Sequence, residues 1–265
     1  MSVVTGQDTI AAAFSRSDRR AALMPYLMGG FPTLDGSRAI GEAYAEGGAD
    51  LVELGVPFSD PLADGPVIHA AGTQALEAGA TVHGVLEVGR ALSESVPVVL
   101  MCYANLVLAR GTERFAADLA ERGISGLIVP DLPLEEAERM RAACDAAGVA
   151  LVALVAPTTP EERLAAIGAS ARGFIYTVSV TGTTGERREL SDDLPGILAR
   201  TKAHTDVPVA LGFGIGTPEA AAAAADAGAD GVIIGSRLVR AAAESERPAD
   251  AVRELVAGFA AALRQ

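Results

Sequence analysis

The chain has 265 residues, half of them hydrophobic and only 4% aromatic, with a formal net charge of -13 at neutral pH. Such an acidic surface excludes nucleic acid and anionic membranes as partners, because both need a positive footprint; a single phosphate stays compatible, since backbone N–H groups bind it without Lys or Arg. No apolar run approaches the roughly 20 residues that span a bilayer, the N-terminus lacks a signal-peptide pattern, and Cys102 and Cys144 show no ligand spacing, so the expectation is a cytoplasmic protein without a bound metal.

In chain order, the amphipathic segment before residue 22 predicts a helix, and short apolar or β-branched runs then predict strands at 22–28, 50–54, 97–102, 126–129, 149–155, 173–178, 208–211 and 231–234. Each is followed by an alanine-rich stretch with helical spacing, as at 135–147 and 248–263. Glycines close several of these helices just before the next strand, in AEGGAD (45–50), ERGIS (121–125), AAGVA (146–150) and DAGAD (226–230), where a left-handed C-cap is expected. GADLVELG (48–55) and GADGVIIG (228–235) repeat one pattern with identical spacing. Eight βα units without a linker favour a closed (β/α)8 TIM barrel over an open sheet, forming one domain across residues 1–265. The N-terminal helix would close the bottom of the barrel, and a short helix at 237–243 would follow the last strand.

Barrel chemistry sits at the C-terminal ends of the strands. Glu53 stands in an apolar strand end, where a carboxylate is costly unless paired or protonated; it is either bonded to an Arg or to backbone amides, or it is an acid/base. The following loop, GVPFSDPLADGP (55–66), is fixed by three prolines and two glycines and carries Ser59, Asp60 and Asp64, the last two equally readable as turn residues. Gly212-Phe213-Gly214 after strand seven and Gly235-Ser236 after strand eight occupy the usual phosphate-binding positions. The stretch 181–185, TGTTG, reads as a lid after strand six. The one lysine, Lys202, falls on the bottom side, which disfavours a Schiff base, and His69, His83 and His204 lack metal-ligand spacing. A pair of carboxylates and Tyr176 then break a C–C bond only if the substrate supplies its own electron sink, as an indole does when protonated at C3.

LVELGVPFSDPLADGPVI (51–68), with YANLV (103–107), PDLP (130–133), TTG (183–185), GFGI (212–215) and GVIIGS (231–236) in order, resembles the signature of tryptophan synthase alpha subunits along essentially the whole chain. The resemblance implies a lyase of tryptophan biosynthesis that cleaves indole-3-glycerol phosphate to indole and glyceraldehyde 3-phosphate. It implies that Glu53 protonates indole C3 and that Asp64 pairs with the indole N–H; burial should keep Glu53 protonated, while Asp64, on a solvated loop, should stay ionised. It implies phosphate binding by Gly185, Gly214, Gly235 and Ser236, and a pocket lined by Tyr26, Met101, Ile128, Tyr176, Thr184, Phe213 and Ile233. No cofactor is implied in this chain. Pyridoxal phosphate belongs to the beta subunit of an α2β2 heterotetramer, faced by the loop around Pro57 and Asp60, by the lid and by Asn105. Thr183, Tyr26 and Phe31 differ from the residues commonest at those places. A free-standing lyase making indole for another pathway and a catalytically silent phosphate-binding barrel stay open beside this reading.

Overall fold

The structure, a computed structural model, describes residues 4–15, 18–178, 193–212 and 214–264. Within them run the parallel strands β1 (Ala22–Met28), β2 (Val52–Gly55), β3 (Val98–Met101), β4 (Gly126–Ile128), β5 (Ala150–Val155), β6 (Ile175–Val178), β7 (Val209–Gly212) and β8 (Gly231–Ile234). They pair in sequence order and close with β8 against β1, so the expected (β/α)8 barrel is the fold. Differences from the predicted strands lie at their ends. The predicted helix 135–147 divides into a 3-10 turn, Leu134–Glu136, and a helix, Glu138–Ala147, because Ala137 offers no side-chain cap where the α-helix begins.

Successive strand residues alternate between two cores. Inward-facing Met24, Leu51, Val99, Ile128, Val152, Phe174, Ala210 and Ile233 fill the barrel, while Leu23, Leu54, Leu100, Leu127 and Val232 pack outward under the helices. The register places Tyr26, Glu53 and Val99 side by side across β1, β2 and β3, so one inward layer holds a phenol, a carboxylate and an aliphatic chain. The N-terminal helix Gly6–Phe14 plugs the bottom with fully buried Ile10. Its Phe14 ring fits only because Gly231 has no side chain: a Cβ there would lie 2.7 Å from the ring.

The expected cap glycines Gly48, Gly123, Gly148 and Gly228 all have positive φ. Below the strands, the shared Asp of the repeated pattern acts alike twice. Asp50 accepts a 2.9 Å bond from the Leu23 amide, and Asp230 a 2.8 Å bond from the Val209 amide, each clamping the strand before its own. Arg19, 3.7 Å from Asp50, also donates to the Ala260 and Gly48 carbonyls, tying the C-terminal helix Pro248–Ala262 to the start of β2. Lys202 pairs with Asp230 at 2.7 Å on this bottom side.

Candidate active site

A cleft of about 600 Å³, partly open to solvent, lies at the C-terminal mouth and is lined by Tyr26, Glu53, Ala63, Asp64, Ile68, Met101, Tyr176, Gly214, Ile215, Ile233, Gly235, Ser236 and Arg237. Glycines opposite the two phenols give them room. A Cβ on Gly55 would come 2.1 Å from the Tyr26 hydroxyl, and one on Gly212 would come 2.4 Å from the Tyr176 ring. Tyr44, from the helix Leu34–Gly47, donates to the Tyr26 carbonyl at 3.0 Å and fixes the β1 backbone there.

Glu53 is 1% exposed, and its Oε2 has no hydrogen-bond partner among the described residues. Among the described residues neither an Arg nor a backbone amide bonds to that oxygen. Burial, followed by the negative charge of Asp64, raises its pKa from an ordinary 4.5 to about 8. It is therefore a carboxylic acid at neutral pH, with a proton to give.

Asp64 differs from expectation. The loop does not leave it in bulk solvent: it is half-buried beside Tyr103, whose hydroxyl donates to Oδ1 at 2.9 Å and accepts from the Ala63 amide at 3.0 Å. Burial pushes the Asp64 pKa upward, while the Tyr103 bond and the charge of His69 pull it down. Tyr103 is itself held from below, because Asp131 accepts from the Ala104 amide at 2.9 Å where the helix Ala104–Arg110 begins. Its ring packs on Phe58 with centroids 5.4 Å apart.

The structure brings Glu53, Asp64, Tyr26, Met101, Tyr176, Ile233, Gly214, Gly235 and Ser236 to one cleft. It does not bring Ile128, which pairs in register with Met101 but is fully buried in the barrel interior and is not among the residues lining the cleft. Phe213 and the whole of the expected lid, 181–185, with Thr184 and Gly185, lie outside the described residues. Asp60 and Asn105 are exposed on the rim, but Pro57 is buried and shapes the loop without offering surface; exposed Leu62 and Leu108 stand on that rim instead.

Sequence reasoning missed Tyr103 and Arg237. Tyr103 acts across 39 positions of sequence, so no local spacing marks it. Arg237 did carry a signal: a cation in the first turn of the helix Ser236–Glu244 opposes the helix dipole, which calls for another reason to be there. His69 sits on the exposed face of the helix Pro66–Glu77 and His204 pairs with Glu161; among the described residues no group of His, Cys, Asp or Glu is arranged to hold a metal.

A family model described as tryptophan synthase alpha chain matches residues 13–264. The chain is 49% identical over 236 residues to a tryptophan synthase alpha chain of Prochlorococcus marinus, covering 88% of this chain and 86% of that one. It is 47% identical over 248 residues to that of Methanosarcina mazei, covering 92% and 91%. Among solved structures, tryptophan synthase from Mycobacterium tuberculosis superposes with a TM-score of 0.91 at 40% identity, covering 97% of this chain and 98% of that one. A chain of the tryptophan synthase α2β2 complex from Pyrococcus furiosus gives 0.86 at 34%, covering 92% and 99%.

Proposed function

The chain belongs to the tryptophan synthase alpha chain family, and on that premise we propose that Glu53 and Asp64 carry its cleavage of indole-3-glycerol phosphate. The family activity is a lyase reaction: indole and glyceraldehyde 3-phosphate are formed, and indole passes to the beta subunit for tryptophan synthesis. The observation that carries the residue assignment is Glu53, a carboxyl group buried in the cleft, kept protonated to about pH 8 and without a hydrogen-bond partner among the described residues.

The Glu53 proton goes to indole C3, and positive charge develops on the ring nitrogen, where Asp64, aimed by Tyr103, stabilises the N–H. The carboxylate left on Glu53 takes the proton of the side-chain hydroxyl beside the ring, the O–H electron pair becomes the π bond of the aldehyde carbonyl, and the broken C–C pair restores the indole. One carboxyl group thus gives and regains a proton. Tyr176, buried on β6 across the barrel from Glu53, lines the opposite wall of the cleft.

The phosphate end is assigned to the amides of Gly214, Gly235 and Ser236 at the start of a helix, with Gly185 from the lid. Arg237 lines the same end and adds the one cation of the cleft wall among the described residues. The rim of Asp60, Asn105, Leu62 and Leu108 is the proposed contact with the beta subunit. Residues 1–265 act as one domain without a cofactor of their own, pyridoxal phosphate residing in the beta subunit. No helix of the described residues is long and apolar enough to cross a membrane, and the proposed location is the cytoplasm.

The test is indole release from indole-3-glycerol phosphate by the purified chain, with and without a beta subunit. Release that depends on the beta subunit supports the subunit reading; full activity of the chain alone would favour a free-standing lyase. A Glu53→Gln protein that still turns over would overturn the assignment.

A further inference from the structure

Tyr26 is 7% exposed, faces the barrel interior and lines the cleft, yet the bond recorded for its hydroxyl is a contact with Met28 Sδ at 3.9 Å. A thioether is a weak acceptor, and a buried phenol ordinarily finds a stronger partner. Among the described residues the hydroxyl is therefore poorly satisfied.

Its position is set by the sheet. Tyr26 pairs in register with Glu53, and the place where a Gly55 side chain would begin is only 2.1 Å from the Tyr26 oxygen. Glu53 and Gly55 face the same way along β2. The phenol tip consequently fills the inward position one step above Glu53, toward the mouth and the loop that carries Asp64. Burial and the charges of Asp64 and Glu53 all oppose its ionisation, so it stays a neutral O–H group.

The substrate's polar groups can be assigned around that position. Asp64 takes the ring N–H, the glycine amides take the phosphate, and Met101, Ile68 and Ile233 face the apolar ring. The side-chain hydroxyls between ring and phosphate are left, and the hydroxyl beside the ring must come within reach of Glu53 to lose its proton. We propose that Tyr26 is a specificity-determining residue whose hydroxyl hydrogen-bonds that side-chain hydroxyl, holding it over the unpartnered oxygen of Glu53. This rests on the reading of the cleft as the indole-3-glycerol phosphate site.

The experiment compares the wild-type chain with Tyr26→Phe, each assembled with the beta subunit. Cleavage of indole-3-glycerol phosphate is measured beside competitive inhibition by 3-(indol-3-yl)propyl phosphate, the same skeleton without the two hydroxyls. Tyr26→Phe should lower kcat/KM about tenfold and leave the inhibition constant within about twofold, because only the first ligand offers the hydroxyl partner. Equal weakening of both ligands would make Tyr26 a packing residue and overturn the proposal, as would no change in either. Glu53→Gln, measured in parallel, separates the two levels: an active Glu53→Gln protein defeats the reading of the cleft, whereas an inactive one beside an unaffected Tyr26→Phe defeats only the role of Tyr26.

Discussion

The segments GADLVELG (48–55) and GADGVIIG (228–235) share the pattern G-A-D-x-V-x-x-G and run into β2 and β8, the two strands that flank β1. At their lower ends they act alike, through an aspartate that clamps the strand before it. At their upper ends they part: β2 carries Glu53, while Ile233 stands at the matching position of β8, below Gly235 and Ser236, and all four line the cleft. One strand unit thus clamps a neighbouring strand at the bottom of the barrel and presents a carboxyl group or an alkyl group at the other end, because the bottom faces packed helices while the mouth faces the cleft.

Breaking the upper half of β2 should have the largest effect. Glu53→Gln should lower turnover by about 10³- to 10⁴-fold, as expected when one group serves as both acid and base, while inhibitor binding persists. A single-turnover assay with added beta subunit reads this. Retained turnover would mean that Glu53 and Ile233 are equivalent wall residues.

Breaking the lower halves should separate the two aspartates. Asp50→Ala removes the buried carboxylate 3.7 Å from Arg19, leaving the more exposed Asp18 at 4.0 Å as a weaker partner, and should cost about 3–5 kcal/mol. Asp230→Ala should cost about 1–2 kcal/mol, because Asp230 and Lys202 are both more than a third exposed and solvent screens them. Urea denaturation measures both, and equal losses would contradict the difference in burial.

Glu53 also links pH to stability. Between its ordinary pKa of 4.5 and its folded value of about 8, the unfolded chain ionises it while the folded chain keeps the proton. The unfolded state then binds fewer protons, so stability falls as pH rises: the contribution is fully present below 4.5 and lost above 8, a few kcal/mol in all. Glu53→Gln has no such proton, so its melting temperature should gain on the wild type from pH 4.5 to 8 and not beyond. In activity, kcat/KM should decline on the alkaline side around pH 8 as the acid form disappears.

The smallest effect belongs to the helix that follows β8. Arg237→Ala should raise KM by about three- to tenfold with little change in kcat, since its charge is partly exposed and acts on the bound phosphate. Steady-state kinetics at low and high salt test this, because the difference should shrink as salt screens the charge.

The sequence by itself determined the barrel and marked Glu53 as the anomalous carboxylate of the candidate site. Eight apolar runs alternating with helical spacing leave few topologies, and local glycine caps such as Gly48 and Gly228 act within one turn of chain, so both are readable without neighbours. Glu53 was legible for the same reason, as a carboxylate inside an apolar strand. What needed the folded chain was everything carried by contact across the barrel: the placing of Asp64 against Tyr103, the burial of Pro57, the withdrawal of Ile128 into the packed interior, and the nearness of the Tyr26 hydroxyl to Gly55. Burial and distance between residues far apart in sequence have no local pattern. They set whether a carboxylate such as Glu53 holds its proton at neutral pH.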